Sequence, residues 1–381
     1  MSQITGKTMY VLGAGASVHT GAPLLRDFLV KARLLLESKE ENIQRESFQR
    51  VFKWIDSLRP SSYYVELDLD NLEHVFSLAE MARQLQLDGA DEIVTSLRHV
   101  ITDTLDACQL RTQRGQVLPD STYFGFVKRL NDLNKNRLQH TGKASDISTR
   151  DVVVTLNYDV MLDHAMMGNS QRPDYGLGLK SGNEHFLLLK LHGSTNWARC
   201  KSCQSGPQII QPNPIPPGHG LLDPFSTDGT LAFRMSTHVL ENTPYQNGNC
   251  KATGTLEPYY LIPPTWSKTV EGTPLPRVWK SAVNALHDVF QIVVIGYSMP
   301  STDTFFQYLM GLGLKENPTL NRVVVVNVDS SEQLKGRYER VFSRSLKDRG
   351  RLKFPPGYGT FGNFVLGEME KIGTEAGWPY D

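Results

Sequence analysis

The sequence predicts an α/β protein: a Rossmann-like parallel sheet with helices on both faces, a large helical insertion and a small irregular module. Three observations predict it. A short apolar run, Met9–Leu12, enters the small-residue loop Gly13-Ala14-Gly15-Ala16-Ser17, and four later apolar runs also stop at small or polar residues. Between the first run and the second, apolar residues recur at three- and four-residue intervals, the period of amphipathic helices. The 381 residues, 40% hydrophobic and 21% charged, suffice for a large core.

In order along the chain, Gly13 and Gly15 supply the backbone freedom of a tight turn, and a helix following that turn would aim N–H groups at a phosphate. The third glycine of the dinucleotide fingerprint is absent, since Val18 stands there. Residues 21–36 close the loop and open a helix. Residues 31–150 read as the insertion: Phe48, Val51, Phe52, Ile55 and Leu58, then Leu72, Val75, Phe76 and Ala79, then Ile93, Leu97, Val100, Ile101 and Leu105 form helical stripes. The later strands are Asp151–Leu156 ending in Asn157-Tyr158-Asp159, Phe186–Leu191 ending in His192-Gly193-Ser194, Phe290–Ile295 ending in Gly296-Tyr297-Ser298, and Arg322–Val326 ending in Asn327. A helix capped near Ser301, with Asp303 in its first turn, follows the third of these. Polar groups at strand ends serve either as helix caps or as ligand contacts, because open α/β sheets bind ligands at the carboxyl ends of their strands. Residues 198–260 read as the small module inside a domain spanning 1–350, and 351–381 as a C-terminal tail.

Forty basic and forty acidic residues cancel, so bulk charge favours neither nucleic acid nor an anionic membrane. No apolar run reaches the ~18–20 residues of a membrane span, and the first residues lack a signal-peptide core, so a cytoplasmic protein is expected. Four cysteines in a chain of this length are not a disulfide framework.

Gly13 to Ser17, Gly21-Ala22-Pro23, Thr155-Leu156-Asn157-Tyr158-Asp159 and His192-Gly193-Ser194, in that order, resemble the sirtuin family of NAD-consuming enzymes. The segment Gly296-Tyr297-Ser298-Met299-Pro300 and the large insertion resemble the sirtuin-like NADases of bacterial antiphage defence. That resemblance implies NAD+ as substrate. Gly13, Ala14, Gly15, Ala16 and Ser17 would hold the pyrophosphate, Asn157 the nicotinamide ribose and Asp159 the carboxamide; His192 would be the base, and Arg26, Gly296, Ser298 and Asn327 would join the cofactor-binding set. The chain departs from the deacetylases where their Gly-Ile-Pro-Asp-Phe-Arg is Gly21-Ala22-Pro23-Leu24-Leu25-Arg26. The peptide-pairing segment is replaced by the proline-bearing Tyr259–Trp266, which disfavours strand addition.

The same resemblance places Cys200 and Cys203 where sirtuins begin their zinc ribbon, and Cys250 resembles its second half with one ligand replaced by Thr253. A four-coordinate structural zinc is therefore not expected. The expectation is an NAD+ hydrolase acting by NAD depletion, a homo-oligomer with a protein partner such as a HerA-type ATPase translocase or an Argonaute. The alternatives are an NAD-dependent protein deacylase and a nucleotide-sensing or nuclease subunit.

Overall fold

The computed structural model describes residues 6–38, 43–108, 121–141, 150–177, 185–200, 275–300, 303–355 and 359–369, with short strands and Leu261 between 208 and 261. Seven strands form one sheet: β1 (Lys7–Leu12), β2 (Val152–Thr155), β3 (Arg172–Asp174), β4 (His185–Lys190), β5 (Val289–Ile295), β6 (Arg322–Val326) and β7 (Leu352–Lys353). Their spatial order is β7-β6-β5-β1-β2-β4-β3, and every pairing is parallel. The five inner strands coincide with the five apolar runs, because a parallel strand covered on both faces has no polar face to show. The edge strands β3 and β7 carry no such run. β3 even contains Pro173, whose missing N–H is tolerated at a sheet edge.

Chain order reverses at β1, whose neighbours are β5 on one side and β2 on the other. Right-handed crossovers on the two sides of such a point place their helices on opposite faces. Accordingly α5 (Ser121–Thr141) contacts α6 (Met161–Gly168), and α7 (Leu275–Leu286) contacts α8 (Thr304–Leu314). The sheet and these helices share one core, in which Tyr10 of β1 meets Phe126 of α5 edge-on at 5.3 Å.

The remaining helices between β1 and β2 have a core of their own. These are α1 (Leu25–Glu37), α2 (Arg45–Leu58), α3 (Leu72–Gln84) and α4 (Ala90–Cys108). Phe48, Val51, Val75, Phe76, Leu97, Val100 and Ile101 are fully buried against one another. The apolar stripes thus bury much of their surface within the chain, while Val30, Leu34, Tyr63, Tyr64, Leu85 and Leu87 of the same region stay exposed. Three residues from outside the bundle enter this core: Ala22, Tyr158 and Leu261. Tyr158 follows Asn157 directly, so the bundle sits against the loop that leaves β2.

In the small module, Trp197–Cys200 pairs antiparallel with Gln208–Ile209 and with Leu256–Pro258. Cys203, Cys250 and Thr253 lie outside the described residues. No helix among the described residues is long and apolar enough to cross a membrane.

Candidate functional site

Strand register brings the expected site loops together. Val326, Ile295, Leu12, Thr155 and Lys190 are successive partners in one row across the sheet. The loops bearing Asn327, Gly296, Gly13, Asn157 and His192 therefore leave the sheet at one level, at and beside the point where chain order reverses. That is where open α/β sheets form a crevice.

The Gly13 loop is held by the loop after β5. Gly13 N–H donates to Ile295 O at 2.9 Å and Gly15 N–H to Gly296 O at 2.8 Å. A Cβ on Gly13 would stand 2.6 Å from Tyr297 Cα, and one on Gly15 would stand 2.9 Å from Gly296 Cα. Gly296 has φ +62, and a Cβ there would lie 2.3 Å from Ala16 N. The glycines are thus required by backbone-to-backbone packing between two loops. Residues 14–16 and 18–20 form 3₁₀ turns, and the first α-helix begins only at Leu25. Ala16 and Ser17 N–H donate within the loop, to Gly13 O and Ala14 O. The loop is not a helix N-terminus with a row of outward amides, because its glycines serve the neighbouring loop.

Ser17 is the hub of the polar network. Its Oγ lies 2.7 Å from Asp159 Oδ2, 2.8 Å from the Tyr123 hydroxyl and 2.9 Å from Asn157 Nδ2. A carboxylate only accepts, so Ser17 donates to Asp159 and receives from Tyr123 and Asn157, which satisfies the whole hydroxyl. Asn157 Nδ2 also donates to Gly13 O at 2.9 Å. Its amide is thereby oriented, with the NH2 group engaged inward and Oδ1 left as the acceptor. Asp159 faces inward: it is 5% exposed, and its other oxygen accepts from Met161 N–H at 3.1 Å, at the start of α6.

Beneath this network lies a buried charge pair. Lys190, fully buried at the end of β4, donates to Asp159 O at 2.6 Å and to Asp163 Oδ2 at 3.1 Å. Tyr175 donates its hydroxyl proton to the other oxygen of Asp163. Burial, and then the adjacent Asp163 carboxylate, push the Tyr175 phenol well above its ordinary pKa. His192, two residues beyond Lys190, is 3% exposed, with its ring edge-on to Tyr158 at 6.1 Å. The left-handed Gly193 (φ +87) follows and bridges antiparallel to Leu261, which covers the backbone next to His192.

On the other side of β1, Tyr297 O accepts from Asn327 Nδ2 at 3.1 Å and from the Tyr338 hydroxyl at 2.7 Å. Tyr338 belongs to α9 (Glu332–Val341). Asp303 accepts from the Tyr297 hydroxyl at 2.7 Å and from Phe306 N–H at 3.2 Å. Asp303 itself is therefore the cap of α8, two residues later than the sequence suggested, and its second oxygen is recruited by Tyr297. Ser298 is exposed. Arg26 stands apart from both networks on the outer surface of α1, where its side chain is 80% exposed and lies 3.5 Å from Asp27.

Comparison with known proteins gives little more. No family model and no curated protein matches the sequence. Among solved structures, alignments run along most of the chain to Sir2 enzymes. A Sir2 complex with the inhibitor EX-527, 2'-O-acetyl-ADP-ribose and a deacetylated p53 peptide is 12% identical with a TM-score of 0.35, covering 97% of this chain and 94% of that one. A Sir2 with a p53 peptide and NAD+ is 11% identical with a TM-score of 0.36, covering 96% and 92%. A third Sir2 structure, concerned with the mechanism and regulation of these enzymes, is 13% identical with a TM-score of 0.39, covering 96% and 94%. Superpositions this loose carry no inference about chemistry.

The sequence reading missed Tyr123, Lys190, Asp163 and Tyr175. Lys190 had a signal, a lone charge inside the apolar run 186–191, where a buried strand rarely tolerates one unpaired. Tyr123 had none, since its hydroxyl is placed by the packing of α5 and not by any local pattern.

Proposed function

We propose that this chain cleaves the nicotinamide–ribose bond of NAD+, giving ADP-ribose and nicotinamide. The observation carrying the reading is the oriented Asn157 amide at the crevice, with its NH2 locked onto Gly13 O and Ser17 Oγ. Its Oδ1 can accept a ribose hydroxyl. As the C1′–N bond breaks, its electron pair returns to the nicotinamide ring and positive charge gathers on the ribose, so a hydroxyl contact that tightens with that charge lowers the barrier. Water adds to C1′ and loses a proton, for which His192 is the base. In this reading the pyrophosphate lies over residues 13–17 and the adenosine half over Ser298 and Asn327. Depletion of NAD+ in antiphage defence, controlled by self-assembly or by a partner such as a HerA-type translocase or an Argonaute, belongs to the same proposal.

The experiment is chromatography of NAD+ incubated with the protein, alone and with its genomic neighbours, with and without an acylated lysine peptide. Release of nicotinamide without peptide supports hydrolysis; release only with peptide, accompanied by deacylation, refutes it. Asn157→Ala should lower turnover by about 10²–10³. It should also lower the melting temperature slightly, because the two inward bonds of the amide are lost. Unchanged turnover in this variant removes Asn157 from the site.

A further inference from the structure

Lys190 is the one charged residue in the apolar run 186–191, and it is fully buried where β4 ends. The strand does not need it. A buried parallel strand is held by its backbone and its apolar side chains, and Lys190 pairs with Thr155 of β2 through the main chain. Taking an ammonium out of water is expensive, and apolar residues of similar volume commonly replace a buried ion pair without loss of stability. The position of this charge therefore calls for another reason.

That position is the junction of the two site loops. The ammonium donates to Asp159 O at 2.6 Å and to Asp163 Oδ2 at 3.1 Å. Asp159 lies two residues after Asn157, and Lys190 lies two residues before His192, so one side chain joins the loop bearing the amide to the strand end bearing the imidazole. The preceding carbonyl is held from the same side: Tyr158 O accepts from Thr195 N–H at 3.0 Å and from the Ser194 and Thr195 hydroxyls, each at 3.4 Å. Two consecutive carbonyls of the β2 loop are thus fixed to the β4 segment, while the Asn157 NH2 is fixed to Gly13 O and Ser17 Oγ. Asp163 is located in turn, since its other oxygen accepts from the Tyr175 hydroxyl.

Pairing also decides what the charge does. A bare ammonium below the crevice would oppose the positive charge that gathers on the ribose as the C1′–N bond breaks. With Asp163 beside it, and both side chains buried, the two charges cancel at a distance and leave the directional bond to Asp159 O.

We propose that Lys190 is a positioning residue for cleavage of the nicotinamide–ribose bond: paired with Asp163, it holds the Asp159 carbonyl and so sets the Asn157 amide relative to His192. The proposal rests on the reading of Asn157 as the ribose contact and adds to it a residue that touches neither substrate nor reacting atoms. A misplacement of about 1 Å in such a contact can cost ~10²-fold in rate.

The test is the neutral pair Lys190→Gln with Asp163→Asn, which keeps an acceptor for Tyr175 but has a side chain one atom shorter than lysine facing Asp159 O. Its kcat for nicotinamide release should fall about 10–100-fold, with KM for NAD+ and affinity for ADP-ribose within about threefold of the native chain, at a temperature where circular dichroism shows it folded. A second readout needs no turnover. In protein carrying isotopically labelled asparagine, the side-chain NH2 resonances of Asn157, identified by their loss in Asn157→Ala, should move in the neutral pair toward those of a solvent-exposed amide and exchange faster with water. If the neutral pair does not fold, Lys190→Met with Asp163→Leu takes the same two measurements. A native kcat, unmoved Asn157 resonances, or a loss confined to KM each overturns the proposal. Absence of turnover in the native chain under every condition given above would sink the NAD+ reading, and the Asn157 resonances would still decide the role of Lys190.

Discussion

On the β2 side of β1, Ser17, Asp159, Tyr123 and Lys190 are buried and bonded to one another, whereas on the β5 side Ser298 is exposed, Asn327 and Tyr338 meet at the Tyr297 carbonyl, and Asn327 Oδ1 accepts from Asp329 N–H. Both sides descend from the same design, an apolar parallel strand ending in polar residues. One has been organised into a buried network of side chains meeting at Ser17, and the other is tied largely through backbone groups and leaves Ser298 exposed. A site that must place one reacting bond needs rigidity there and can leave the remote half of its ligand to looser contacts.

That contrast can be broken by substitution, beginning where the largest loss is expected. Lys190→Met should cost about 3–5 kcal/mol in denaturant unfolding, since it leaves the buried Asp163 carboxylate without its cation. The double variant Lys190→Met with Asp163→Leu should recover part of that loss; no recovery would mean that the pair contributes through something other than its charge. Ser17→Ala should cost about 2–3 kcal/mol, because Asp159, Asn157 and Tyr123 lose a common partner inside the protein. On the open side, Asn327→Ala removes a bond to Tyr297 O, a carbonyl still held by Tyr338, and a bond from the exposed Asp329 N–H, which water can replace, and should cost only about 1 kcal/mol. A loss as large as that of Ser17→Ala would erase the distinction between the two sides.

The smallest expected effect is on pH dependence. The N–H and hydroxyl of Ser331 hold the exposed Asp329 carboxyl below its usual pKa. A depressed carboxyl stabilises the fold above its unfolded pKa, and that contribution disappears as pH falls through the folded value. Acid titration followed by nuclear magnetic resonance should show Asp329 titrating below a typical aspartate, and Ser331→Ala, which removes the hydroxyl but keeps the N–H, should move it only part of the way back up.

The inner sheet was legible in the sequence because buried parallel strands leave uninterrupted apolar runs, as at 152–155 and 322–326. The edge strands were not, since two or three half-exposed residues paired on one side need no particular pattern. Three helices of the insertion were visible as stripes, but periodicity does not say what a stripe packs against. Only the structure shows that α1 to α4 pack on themselves while α5 packs on Tyr10 of β1. In the site, Asn157 and His192 were marked by their place at strand ends. The glycines were marked too, yet for a different physical reason, since the atoms they must avoid belong to residues 296 and 297. Contacts between groups distant in sequence, such as Ser17 with Tyr123, leave no trace in a linear pattern.

Tyr158 divides its loop between two territories: its ring is embedded in the core of the helical bundle, while Asn157 and Asp159 on either side bind the Ser17 hub. Deleting residues 25–108 to isolate the sheet would strip the Tyr158 ring of its surroundings and pull on both neighbours at once. The bundle is therefore not an appendage that can be trimmed away, and its unfolding and the dissolution of the Ser17 hub should occur in one cooperative transition.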